Sequence, residues 1–164
     1  MTENILGGEK ADTVPFFHGS PDWRDAGVIF DYTDEEYEIL EHCSNDCIWF
    51  IENYCKFKNK HGRTLVKLYD FQRENLELMS AEKWDPDEEV VVPVNSQICL
   101  MQSRQTSKTT SIGAYITWYA IFHHDATIFI CANKGKTALD IVEKVKEFFE
   151  SLPYFIKPGI VNIS

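Results

Sequence analysis

An α/β fold, with a parallel sheet flanked by helices, is what this 164-residue sequence predicts, and three segments predict it. Residues 97–102 form a largely apolar run that reads as a central strand. A polar turn ending in Lys108-Thr109-Thr110 follows, and an apolar helix continues over 109–122. Residues 126–131 are a second continuous apolar run with branched side chains, the form of a parallel strand covered on both faces. An amphipathic helix over 138–152, with Ile141, Val142, Val145, Phe148 and Phe149 inward, completes the series. Strand, helix, strand and helix in this order make a right-handed βαβ unit.

The elements upstream follow in order. Residues 1–32 hold Gly7-Gly8, Pro15, Gly19 and Pro21 without a sustained period, which predicts an extended arm pinned by Phe16, Phe17 and Trp23. Residues 33–164 are read as one domain. Thr33-Asp34-Glu35-Glu36 has the form of a capping box, a hydroxyl followed three residues later by a carboxylate. Leu40, Cys43, Cys47, Ile51 and Tyr54 then give one face of a helix that ends near Tyr54. His61-Gly62 turns the chain and residues 64–68 read as a short strand. A second helix opens at Tyr69 or Asp70 and carries Phe71, Gln72, Leu76 and Met79. Residues 84–89 read as a solvated acidic loop, and Val90-Val91-Val92 as a short strand halted by Pro93.

Composition narrows the function. A hydrophobic content of 44% and an aromatic content of 13% belong to a folded chain. The net charge of -10 excludes wrapping of nucleic acid by bulk charge, because neutralising phosphates needs Lys and Arg on the contact face. The charge is uneven: seven acids fall between Asp31 and Asp46, whereas residues 103–136 hold Arg104, Lys108, Lys134 and Lys136 against the single acid Asp125. A polyanion would therefore meet the region of the polar turn. The start of the chain is polar, and no apolar run reaches transmembrane length, so membrane contact is not expected. Cysteines at 43, 47, 55, 99 and 131 show no secreted pairing pattern and point to reduced thiols. Cys43, Cys47, Cys55 and His61 can be written as a zinc set, but Cys43 and Cys47 sit at helical i, i+4 spacing among Leu40, Ile48 and Ile51, which favours core packing.

The turn over 103–110 carries the chemistry. A strand, a polar turn and a helix that opens on Lys-Thr-Thr is the layout of a phosphate-binding loop. Backbone N–H groups at the helix N-terminus face an anion, the lysine reaches the outer phosphates and a hydroxyl holds Mg²⁺. The usual pattern has glycine six positions and one position before the lysine, where this chain has Gln102 and Ser107. A β carbon at 107 strains a turn for which glycine is suited.

Phe71-Gln72-Arg73-Glu74-Asn75-Leu76, Ser103-Arg104-Gln105-Thr106-Ser107-Lys108-Thr109-Thr110, Ala132-Asn133-Lys134-Gly135 and 152–161 (Leu-Pro-Tyr-Phe-Ile-Lys-Pro-Gly-Ile-Val) occur in that order. Together, over roughly residues 33–164, they resemble the N-terminal ATPase part of the large terminase subunit of tailed bacteriophages of the myovirus type. That family packages viral DNA into an empty capsid through the portal. The resemblance implies a P-loop NTPase-type sheet and binding of ATP with Mg²⁺. In the loop, Ser103, Gln105, Thr106, Ser107, Lys108, Thr109 and Thr110 would hold the phosphates, with Lys108 on the β- and γ-phosphates and Thr109 on Mg²⁺. Arg104 is implied as the catalytic arginine acting in cis on the γ-phosphate, and Gln72 as the reader of the adenine edge, with Phe71 or Tyr69 near the base. Implied partners are double-stranded DNA, the portal protein, the small terminase subunit and the remainder of the large terminase chain, in the host cytoplasm at the procapsid portal. The family's acidic Mg²⁺-holding and water-activating pair and its nuclease domain have no counterpart in these residues, so the resemblance implies an incomplete domain that does not hydrolyse ATP alone. A helicase-like P-loop ATPase and an inactive split fragment that binds a partner are the competing readings.

Overall fold

Local capping signals and apolar periodicity place most helices where the sequence puts them, in a mixed α/β protein. The computed structural model describes residues 16–17, 20–26, 28–60, 62–104 and 106–160. After the two-residue strand β1 (Arg24–Asp25), α1 (Asp34–Asn45) opens on the expected capping box: the Thr33 hydroxyl accepts the Glu36 N–H, and the Glu36 carboxylate accepts the Thr33 N–H at 2.9 Å.

The helix expected to reach Tyr54 is two helices. Asp46 takes an extended backbone (φ -131°, ψ 94°), and its carboxylate accepts the Trp49 N–H at 2.8 Å, which starts α2 (Cys47–Tyr54). Just before the break, the side chains of Ser44 and Asn45 both donate to the Glu41 carbonyl, competing with the regular ladder. Next comes a hairpin, β2 (Lys56–Asn59) and β3 (Gly62–Leu65), with Phe57 opposite Thr64. Helix α3 (Asp70–Ser80) matches its expected start. A second hairpin, β4 (Glu82–Asp85) and β5 (Val90–Pro93), takes Trp84 and Asp85 out of the expected acidic loop and leaves only 86–89 as the turn.

Helices α4 (Lys108–Phe122) and α5 (Gly135–Ser151) pack against each other where Gly113 meets the Phe148 ring; a β carbon at 113 would lie 3.4 Å from it. Around this contact, Phe50, Ile51, Leu76 and Phe148 form the centre of the core. The Trp118 indole N–H, buried with it, donates to the Cys43 carbonyl at 2.7 Å. Cys43, Cys47 and Cys55 are buried in the same cluster, as packing residues. His61 lies outside the described residues, and no group of three metal-capable side chains occurs among those described.

The described residues of 16–32 lie against the residues around 154–160, and Phe16, expected to pin them, is one of the contacts. Strand β1 pairs in parallel with β6 (Gly159–Ile160), the Phe16 and Tyr154 rings meet edge to face, and the Lys157 ammonium donates to the Asp22 carbonyl at 2.7 Å. The approach is close enough to demand glycine: a β carbon at 159 would lie 2.6 Å from the Ala26 Cα. Residues 1–15 of the expected arm lie outside the described residues.

The central sheet is the main correction. Residues 97–102 and 126–131 belong to no strand, and among the described residues parallel pairing is confined to β1 with β6. A strand exists only through a neighbour that takes its hydrogen bonds. No backbone–backbone bond reaches either segment among the described residues, although their composition suits a sheet. A side chain of each is left in water: Met101 is 96% and Phe129 88% exposed. No helix among the described residues is long and apolar enough to cross a membrane.

Candidate functional site

The polar turn enters α4 through a left-handed residue. Ser107 has φ +54° and ψ 25°, the conformation that glycine adopts without penalty and that costs an L-residue roughly 1–2 kcal/mol. The strain expected of a β carbon at this position is therefore located at Ser107 itself. From there the helix closes at once, with the Thr110 and Ser111 N–H groups both donating to the Ser107 carbonyl at 3.0 and 3.1 Å. Two side chains brace the turn: the Thr106 hydroxyl donates to the Ser103 carbonyl, and the Ser111 hydroxyl to the Lys108 carbonyl.

No acid stands in the first turn of α4, so its positive dipole end is not offset by its own side chains. Lys108 is half-buried, while Thr109 and Arg104 are exposed. None of these three side chains makes a hydrogen bond or ion pair among the described residues. This end of α4 thus offers two uncommitted cations and an uncommitted hydroxyl beside free backbone N–H groups, an arrangement that suits a phosphate or carboxylate.

Gln72 is brought to the same place from α3. It is only 3% exposed, and both ends of its amide are used within the protein. Its Oε1 accepts the Tyr69 N–H at 3.0 Å, which caps α3, and its Nε2 donates to the Thr106 carbonyl at 2.8 Å. A second N–H and a second lone pair remain on the amide, but a side chain this buried offers adenine little access. The nearby aromatic pair is the more accessible: Tyr69 and Phe71 stack at 5.8 Å and 7°, both exposed.

The loop is hollow on both sides. A cavity of about 280 Å³ is lined by Lys67, Tyr69, Gln72, Ser107, Thr110 and Ser111. A groove of about 530 Å³ lies on the other side, against Phe71, Glu74, Gln102, Ser103 and Thr106. Lys108 lines neither; it edges a larger apolar groove with Ile98, Ile112 and Phe129. Of the residues expected at the site, Gln72, Ser103, Thr106, Ser107 and Thr110 line one hollow or the other, Lys108 and Thr109 open α4, and Arg104 is an exposed residue of the preceding turn that lines neither hollow. Gln105 lies outside the described residues.

Two features escaped the sequence. Strand β2 is the first: the strand expected over 64–68 is found as β3 at Gly62–Leu65, but its partner was not read, although the alternation of Lys56-Phe57-Lys58 was a usable signal. The hairpin walls the smaller cavity through Phe57, Thr64 and Leu65. The tie from Gln72 to Thr106 spans 34 residues and had no local signature. The chain matches no protein-family model.

Proposed function

We propose that this chain is the ATP-binding portion of a viral DNA-packaging motor of the large-terminase type, with a P-loop NTPase-like loop over 103–110. The observation that supports this most directly is the mouth of α4: a left-handed turn at Ser107 leads straight into Lys108-Thr109, with Arg104 and Lys108 uncommitted and no acid in the first turn. Phosphoryl groups need positioned positive charge and backbone donors more than a covalent partner. On this reading Lys108 and the α4 N–H groups hold the phosphates, Thr109 contributes its hydroxyl to the Mg²⁺ that accompanies the nucleotide, Arg104 faces the γ-phosphate, and the Tyr69–Phe71 pair stacks on the base. Mg²⁺ supplies charge neutralisation between phosphate oxygens.

Binding, rather than turnover, is the activity assigned to these residues. The stretch from Ser103 to His124 carries no Asp or Glu to hold the metal or activate water. The remainder of the motor chain, the portal, the small terminase subunit and double-stranded DNA are the partners this reading brings, in the host cytoplasm.

The test is Mg-ATP binding by calorimetry on the wild-type chain and on Lys108→Ala. Wild-type binding that weakens at least tenfold in the variant, the loss of a charge-assisted contact worth about 1.5–3 kcal/mol, supports the reading. Equal affinity in the two proteins, or none in the wild type, rejects it.

A further inference from the structure

We propose that Gln72 is the positioning residue of the 103–110 loop: its side-chain amide clamps the Thr106 carbonyl and so holds the left-handed turn at Ser107 and aims the first backbone donor of the site. The inference deepens the nucleotide reading and rests on it only for the consequence for binding.

The Thr106 carbonyl and the Ser107 N–H share one planar group, and no peptide bond among the described residues is cis. In a trans peptide these two groups point in opposite directions. Fixing the carbonyl on Gln72 Nε2 at 2.8 Å therefore directs the Ser107 N–H away from α3, towards the outside of the turn. The same bond resists rotation at the residue that is conformationally least comfortable, because Ser107 holds φ +54° with a β carbon in place. Gln72 is itself fixed: it is 3% exposed, and its Oε1 is held by the Tyr69 N–H at 3.0 Å. A side chain free to swing would constrain nothing, whereas one capped at one end and donating at the other transmits the position of α3 to the loop.

The two ends of the amide can be separated. In Gln72→Glu the acceptor for the Tyr69 N–H remains, and a carboxylate near a helix N-terminus is favourable, so α3 keeps its cap. While that side chain is ionised the donor to Thr106 is gone and a negative charge faces the carbonyl, so exchange is compared across rising pH, where burial no longer keeps the carboxyl protonated. A role confined to capping α3 predicts no change at the loop; the clamp predicts a local loosening there. The clamp also predicts coupling to Ser107, since a glycine in its place needs no clamp to stay left-handed.

The experiment is amide hydrogen exchange over 103–111, without nucleotide, on wild type, Gln72→Glu, Ser107→Gly and the double variant, with Mg-ATP binding measured on the same four proteins. The expected result is exchange roughly tenfold faster in Gln72→Glu, the weight of a lost buried hydrogen bond, and a return towards the wild-type rate in the double variant. Unchanged exchange in Gln72→Glu, or equal effects of that substitution in the wild-type and Ser107→Gly backgrounds, overturns the clamp. Should Gln72→Glu fail to fold, the wild type decides alone: the Gln72 side-chain amide protons exchange slowly if they are held by Thr106, and at the free-glutamine rate if they are not. The predicted exchange pattern without ATP binding in any protein supports the clamp and rejects the nucleotide reading. ATP binding without the exchange pattern does the reverse.

Discussion

Three sulfurs in the core bias this protein against alkaline conditions. Burial pushes the Cys43 thiol up to about 12 from an ordinary 9.0, with the negative charge of Asp46 adding to it. Cys47 moves the same way for the same two reasons, and Cys55 moves up through burial with Cys47 and Cys43 nearby. Below pH 9.0 both the folded and the unfolded chain keep these protons, and the thiols give stability no slope. Above it the unfolded chain releases them first, so stability falls as pH rises towards the folded values, by about 1.4 kcal/mol per pH unit for each thiol ionised only when unfolded. Lys157 opposes this: burial lowers its ammonium below 10.5, so stability gains with pH between the lowered value and 10.5. One amine does not offset three thiols. Urea midpoints are expected to drop steadily from about pH 9 to 10.5, and Cys55→Val is expected to flatten the drop. A midpoint independent of pH in that window would show that the sulfurs ionise equally in both states. The packing role itself was legible, because i, i+4 spacing puts Cys43 and Cys47 on one side of the chain even though a break falls between them.

That break marks where element-level reading succeeds and where it stops. The capping box at Thr33, the 3.6-residue periods of α3 and α5 and the apolar run of α4 are local, and the helices follow them. The interruption at Asp46 carries neither Pro nor Gly; it depends on one carboxylate turning back to the Trp49 N–H, which a periodic pattern does not register. Strand β5 follows the expected Val90-Val91-Val92 run, but its partner β4 was hidden by charge, since Glu82, Lys83 and Asp85 surround Trp84 in a strand of only four residues. If the carboxylate sets the start of α2, Asp46→Ala is expected to cost about 1 kcal/mol in urea unfolding and Asp46→Asn only a few tenths. Equal stability of all three proteins would mean that core packing of Phe50 and Ile51 alone fixes the two helices.

At the scale of the molecule, period and composition identified the two apolar runs, but a sheet is a relation between segments and cannot be read from either one. The same holds for the site: the loop and its Lys-Thr-Thr end were legible because they are contiguous, while the bond from Gln72 joins α3 to the loop across 34 residues. What the unpaired runs leave is an apolar surface beside a groove of about 620 Å³ floored by α4 residues such as Ile112, Tyr115 and Tyr119. Met101 at 96% and Phe129 at 88% exposure face water with almost none of their surface buried, so they contribute little to folding and much to stickiness. Replacing both with serine is therefore expected to leave the unfolding free energy in urea within about 0.5 kcal/mol of wild type, the usual range for surface substitutions. The same variant should bind less of a hydrophobic fluorescent dye and stay monodisperse to higher concentration in light scattering. A loss of more than about 1 kcal/mol would show instead that these side chains are packed in solution, and that the two runs are covered there. Unchanged dye binding at full stability would place the sticky surface elsewhere, with Ile29 and the α1 residue Tyr37 the next most exposed large apolar side chains among the described residues.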